Sequence, residues 1–248
     1  MGLRHGRNVQ VYINGVDLTG ELNEVNPTSE QDLADVSAFG TQGHNFYPGL
    51  AKDSVTINGL YTDTERAVFE GMVQLTPSYA MMLVFGRASG LYSFAYATND
   101  IMLKSNVIKG VVTDVNRISA SFETDNYPFE NCQMEVDSNG NNKITSLVTS
   151  TGGTLDSINS ASNTTGGAGY LQALTVTGGT LTVSIQQSSS GAWAAETITT
   201  CTFTAASSSG TQRAAISGLI ERYTRPVWTI APVSTGSTCT FAVALKRY

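Results

Sequence analysis

Short runs in which apolar and polar residues alternate recur along almost the whole chain, a pattern that allows little but β-structure. Residues 9–13 alternate, Asn14-Gly15 supplies a tight hairpin turn, and residues 16–18 resume the strand. Residues 21–37 are polar, extended and weakly alternating. Residues 38–51 hold three glycines, a proline and three aromatics, and are expected to form a loop with apolar cargo. Strands are expected over residues 54–61, 81–85, 92–98, 107–115 and 117–123. One stretch carries a helical period instead. Thr62 and Glu65 have the form of a capping box, Ala67, Val68, Gly71, Met72 and Leu75 fall on one face, and Pro77 stops the helix.

Residues 139–169 break the pattern. They are rich in Ser, Thr, Gly and Asn, with one apolar patch at 144–148, and the domain boundary is expected inside them. The expected organisation is a domain over 1–138, a linker over 139–168 and a second domain over 169–248. The second half shows no helical period. Its expected strands are 171–176, 180–186, 198–204, 214–220, 225–230 and 238–245, a spacing that suits a compact β-sandwich. Leu171, Val183, Ile185, Phe203, Ile216, Trp228 and Phe241 are its expected core.

Charged residues make up only 14% of the chain, against about a quarter in ordinary soluble domains. Their distribution is uneven. The first 137 residues carry a net −9 and the remainder +3, together the −6 of the whole chain. Asp17, Glu21, Glu24, Glu30, Asp32 and Asp35 follow one another with no intervening base, and such a segment repels phosphates at short range. The basic residues of the second half are few and scattered. Arg222-Tyr223-Thr224-Arg225 reads best as a strand whose arginines reach past an apolar face.

Catalytic constellations are missing. The only histidines are His5 and His44, and no nucleophile elbow, phosphate-binding loop, dinucleotide fingerprint or HExxH pair occurs. Cys132, Cys201 and Cys239 form no CxxC pair, so they read as small buried hydrophobes, with a Cys201–Cys239 bridge left open. No run approaches the ~18 apolar residues of a membrane span, and residues 1–7 contain no apolar signal region. The reading is therefore a non-enzymatic protein with no cofactor and no metal.

Residues 9 to about 135 resemble the major tail proteins, or tail tube proteins, of long-tailed bacteriophages. The resemblance rests on four pieces in order: Asn14-Gly15-Val16-Asp17-Leu18-Thr19-Gly20; Val36-Ser37-Ala38-Phe39-Gly40; Phe46-Tyr47-Pro48-Gly49-Leu50; and Ser54-Val55-Thr56-Ile57-Asn58-Gly59-Leu60-Tyr61-Thr62-Asp63. It implies two packed antiparallel sheets flanked by a helix. It also implies rings of six or three copies whose inner sheets join into a channel, and rings stacked into a tube that passes viral DNA without specific binding. The loop reaching the next ring would carry Phe39, His44, Phe46, Tyr47, Pro48 and Leu50, and the six acids named above are the candidates for lining the channel. Partners would be the chain itself and other tail proteins such as tape measure and terminator. The place would be the virion tail, after synthesis in the host cytoplasm, with no membrane involved.

Residues from about 169 onward resemble a galactose-binding-like jelly-roll sandwich, through Val183-Ser184-Ile185-Gln186-Gln187-Ser188, Trp193 and Arg222-Tyr223-Thr224-Arg225 with Trp228. Ser188-Ser189-Ser190-Gly191-Ala192-Trp193 lacks the Asp of the family's Ser-x-Asp-Gly-x-x-Trp pattern, so the likeness implies a fold more than an activity. The alternatives are a carbohydrate-binding or host-adhesion protein of the virion, with Trp193, Tyr223 and Trp228 as glycan contacts, or a duplicated, second tube-like domain with three subunits forming a pseudo-six-fold ring. The expected fold class is thus mostly β: a tail-tube fold followed by a jelly-roll-like sandwich.

Overall fold

The computed structural model describes residues 9–37, 45–73, 79–86, 93–110, 115–157, 161–194, 198–232 and 236–248. It is mostly β with one helix, as the alternation predicts. In chain order the elements are β1 (Gln10–Ile13), β2 (Val16–Asp17), β3 (Leu22–Asp35), β4 (Phe46–Leu60), α1 (Asp63–Val73), β5 (Tyr79–Phe85), β6 (Phe94–Lys109), β7 (Arg117–Thr124), β8 (Glu130–Met134), β9 (Lys143–Ser146), β10 (Ser150–Thr151), β11 (Leu155–Asp156), β12 (Gly167–Thr177), β13 (Thr180–Ser188), β14 (Ile198–Thr202), β15 (Gly210–Ile216), β16 (Tyr223–Ala231) and β17 (Thr238–Arg247). Two expectations change here. Residues 46–51, read as loop, begin the 15-residue strand β4, because β3 offers them a partner from Asp35↔Phe46 to Gln31↔Ala51. The separate strands expected over 92–98 and 107–115 are joined in one, β6, which runs from Phe94 to Lys109.

The chain divides into two compact units, neither of which is a continuous segment. One comprises Met1–Thr19, Ala80–Asn99 and Glu130–Tyr248; the other comprises Gly20–Tyr79 and Asp100–Phe129. The cut therefore does not fall at residues 138/139. β9, β10 and β11, inside the expected linker, pair with β17 and β16 and are part of the larger unit. Serine- and glycine-rich composition marks low strand propensity, but a strand of two to four residues needs only a neighbour with free backbone groups.

The larger unit holds two sheets. One runs β15-β12-β17-β8-β6-β5-β1-β2 with β9 on β17, and the other β10-β16-β13-β14 with β11 on β16. All seven expected core residues, Leu171, Val183, Ile185, Phe203, Ile216, Trp228 and Phe241, meet in one cluster. Trp228 and Phe241 pack edge to face with ring centroids 5.5 Å apart. β17 is buried on both faces. Phe241, Val243 and Leu245 enter that core, while Ala242 and Ala244 enter a second cluster with Tyr12, Ala95, Ala97 and Tyr170. The alanines leave room for the two tyrosine rings. The Asn14-Gly15 turn forms as expected, with φ of 49° and 78°. A Cβ on Gly15 would lie 2.5 Å from the Gly210 nitrogen, and the Gly15 N–H donates to Gln172 Oε1 at 2.9 Å, so both the conformation and the close approach require glycine. The three cysteines are free and buried.

The smaller unit is one antiparallel sheet, β3-β4-β7 and the end of β6, covered on one face by α1. The capping box is present: the Thr62 N–H donates to Glu65 Oε2 at 3.2 Å and the Glu65 N–H to Thr62 Oγ1 at 3.4 Å. The buried helix face is Glu65, Phe69 and Met72 rather than one through Ala67 and Gly71, which are exposed. Phe69 sets that rotation by packing on Phe122 of β7, ring centroids 5.8 Å apart. Leu75 and Pro77 lie outside the described residues.

Candidate assembly surface

Alternation along the smaller unit's strands gives its sheet two unlike faces. Val55 and Ile57 of β4 and Ile118, Ala120 and Phe122 of β7 are buried on the helix side. The register places the intervening residues in rows on the other face: Glu24–Asn58–Ser119–Val107, then Asn26–Thr56–Ser121–Ser105, then Thr28–Ser54–Glu123–Met102. That face is built mainly of short hydroxyls, amides and a few charges, with Val107 and Met102 as apolar members on β6. The carboxylate of Glu24 accepts from Asn26 Nδ2 at 2.8 Å and from Asn58 Nδ2 at 2.7 Å, and these bonds hold it below the usual carboxylate range. Lys52 Nζ lies 3.3 Å from Glu123 Oε1, and Lys104 Nζ hydrogen-bonds the same oxygen.

Both edges of this sheet are open among the described residues. β3 pairs only with β4, and residues 102–109 of β6 pair only with β7. β4 loses its other neighbour, β7, beyond Ser54. From Lys52 towards Phe46, β3 and β4 continue as a two-stranded ribbon that is exposed on both faces among the described residues. By register Leu33, Pro48, Asp35 and Phe46 share one face of it, and Ala34 and Tyr47 the other. Its apolar side chains are open to solvent: Leu33 is 61% exposed, Phe46 55%, Tyr47 68% and Leu50 84%. An isolated ribbon is marginal in water, and apolar side chains at its tip add no stability unless something covers them.

The candidate residues separate as follows. Phe46, Tyr47, Pro48 and Leu50 come together on the ribbon; Phe39 and His44 lie outside the described residues. Of the six acids, Glu24 and Glu30 share the polar face by register, and Asp32 joins them by continued alternation. Asp35 takes the opposite face, and Glu21 is half-buried. Asp17 belongs to the larger unit. There burial would raise its pKa, but hydrogen bonds from Thr19 and from Lys143, whose Nζ is 2.9 Å away, hold it below the usual range. Lys52, Lys104 and Glu123 were not singled out from sequence. Alternation tells which residues of one strand share a face, but not which strands lie side by side.

The three aromatics of the larger unit do not form a common surface. Trp228 is core, 4% exposed, and its Nε1–H donates to the Val148 carbonyl at 3.1 Å. Trp193 and Tyr223 are half-buried, with the Arg225 guanidinium 4.2 Å from the Trp193 ring centroid and that of Arg222 4.9 Å from the Tyr223 ring. Among the described residues no three His, Cys, Asp or Glu side chains are placed to hold a metal ion, and no helix is long and apolar enough to cross a membrane. Among the described residues two carboxyls are pushed strongly upward, one in each unit. Burial pushes Glu65 up to about 7 against the Thr62 backbone hydrogen bond, and the nearby charge of Glu21 adds to it. Burial likewise pushes Glu135 up to about 7 against the Thr224 hydroxyl at 2.8 Å and the charge of Arg247. Both sit inside packed cores rather than in an open cleft, which suits structural groups.

No protein-family model matches this chain, and no curated protein matches it. Among solved structures it is similar to the SPP1 tail tube, with 13% identity and a TM-score of 0.40 over 49% of this chain and 76% of that one. It is similar to a chain of the native gene transfer agent virion, with 15% identity and a TM-score of 0.38 over 51% and 98%. It is similar to the SPP1 Dit protein, with 8% identity and a TM-score of 0.36 over 97% and 99%.

Proposed function

We propose that this chain is a structural subunit of a phage-type tail tube, which polymerises rather than catalyses. The observation that carries the reading is the smaller unit's sheet: one face roofed by α1, the other polar, and both edges unpaired among the described residues. Open edges present rows of unsatisfied N–H and C=O groups, and identical copies satisfy them by pairing edge to edge. The strands alternate in direction across β3-β4-β7-β6, so β3 and β6 run opposite ways. The β3 of one copy beside the β6 of the next then continues an antiparallel sheet, and a heterologous contact of that kind closes into a ring. The polar face would line the bore, where viral DNA passes without specific binding. The β3–β4 ribbon, with Phe46, Tyr47 and Leu50, would bury its apolar tip against the next ring. Other tail proteins would meet the ends of the tube, and the assembled protein would reside in the virion. Negative-stain microscopy of the purified protein tests this. Rings or tubes are the expected result, with three or six copies counted from class averages; dispersed monomers at high concentration would overturn it.

A further inference from the structure

The two open edges of the smaller unit's sheet carry opposite charge. On the polar face β3 presents Glu24 and Glu30, and no lysine or arginine occurs in it. At the other edge, residues 102–109 of β6 carry Lys104 and Lys109 and no acid. Lys109 lies on the polar face, opposite Arg117 and in line with Leu60. Between the edges the charges alternate strand by strand. Glu30 on β3 is directly opposite Lys52 on β4, Lys52 reaches Glu123 on β7, and Glu123 holds Lys104 on β6. The row begins with an acid at one edge and ends with a base at the other.

We infer that this charge row sets the register between neighbouring copies: Glu30 of one copy meets Lys104 of the next, and Glu24 meets Lys109. The inference rests on the edge-to-edge reading above and adds the groups that decide how the edges align. Antiparallel pairing requires the order found here, because going up β3 from Glu24 to Glu30 corresponds to going down β6 from Lys109 to Lys104; six residues separate the acids and five the lysines, with a bulge at Lys104, so when Glu24 is directly opposite Lys109 the pair Glu30 and Lys104 meets diagonally. Along the row through Glu30, Lys52, Glu123 and Lys104 the alternation acid–base–acid–base then continues around the ring, and Glu24 of the neighbouring copy supplies the acid that Lys109, opposite Arg117 in its own sheet, otherwise lacks. A sheet edge by itself specifies register poorly, since its backbone groups repeat every two residues and a slip costs few hydrogen bonds. Opposite charges across adjacent strands favour one alignment, and like charges directly opposite disfavour the slipped ones. A β3–β3 or β6–β6 contact would bring acid to acid or base to base, so the same row selects head-to-tail closure over a symmetric dimer.

The test uses the full chain and counts rings by microscopy, with sedimentation giving the assembled fraction. Glu30→Lys and Lys104→Glu are each expected to abolish ring formation at low salt, and the two together to restore it. Lys104→Glu also removes a partner from Glu123, so the pair Glu24→Lys and Lys109→Glu forms a second series with the same expected pattern. Circular dichroism establishes that each variant is folded. Single reversals that assemble like the wild type overturn the inference, as do folded double variants that fail in both series. Failure of the unsubstituted protein to form rings overturns the tube reading beneath it, which keeps the two failures apart.

Discussion

The two units of this molecule bury their strands in different ways. In the larger one, β17 has both faces covered, and two sheets close over a core that runs from Leu171 to Phe241. In the smaller one, among the described residues, a single sheet has one helix over one face, an exposed polar face on the other, and no strand paired along either edge. A sheet covered on both sides gains its stability within the chain. A sheet left open on an edge holds part of its possible pairing in reserve for a second molecule. The same polypeptide thus contains a sheet closed within the chain and, on the reading proposed above, one that a second copy would complete.

The contrast can be broken most forcefully in the larger unit. Phe241→Ala removes a fully buried ring that packs on Trp228, and a loss of ~3–5 kcal/mol is expected in urea denaturation. A loss under ~1 kcal/mol would mean that this core is not what holds the larger unit together.

Glu135 comes next. Its folded pKa is raised to about 7, so the stability linked to its proton is fully present below about 4.5 and is lost as pH rises through 7. Glu135→Gln keeps an acceptor for Thr224 and carries no charge. It should therefore match the wild type near pH 4.5 and exceed it by up to ~3 kcal/mol at pH 8, the value of a shift of that size. Equal stability at both pH values would show that the buried carboxyl is solvated or paired in solution. Glu65→Gln applies the same sign and window to the smaller unit, where Gln can also complete the capping box.

Thr62→Ala should cost ~1 kcal/mol by removing one half of that box, read as earlier melting of the helical circular dichroism signal. The smallest effect on stability is expected from Leu33→Ser, Phe46→Ser and Tyr47→Ser combined. Each is an exposed position, worth about ±0.5 kcal/mol, yet stacking of rings into tubes should disappear. A large drop in melting temperature would instead show that the ribbon is packed within the chain.

Much of this fold was legible in the sequence, and so was part of the candidate surface. Residues 54–61 alternate so regularly that the second part of strand β4 could be read directly. The seven core residues of the larger unit were named from the same alternation. Glu24 and Glu30 were visible as candidates because an acid run without bases stands out in any order of folding. Lys52, Lys104 and Glu123 were not, since each is unremarkable among its sequence neighbours and the row exists only after β3, β4, β7 and β6 are set side by side. Trp228 was misplaced among surface aromatics as well as correctly among core residues, because an indole at a strand position fits either side until its register is known.

By itself the sequence determined most of the local conformations: where most strands run, that Asn14-Gly15 turns, and that Thr62 and Glu65 cap one helix. Those follow from interactions between residues a few positions apart. Tertiary structure alone decided the partners. It drew residues 10–17 and 80–97 into the unit of the C-terminal strands, made short strands of a serine-rich run, turned residues 46–51 from loop into ribbon, and rotated α1 onto Phe69. The reason is physical. A strand's hydrogen bonds are satisfied by whichever backbone lies alongside, a choice made across a hundred residues by packing, and the period of two records the face of a side chain without recording its neighbour.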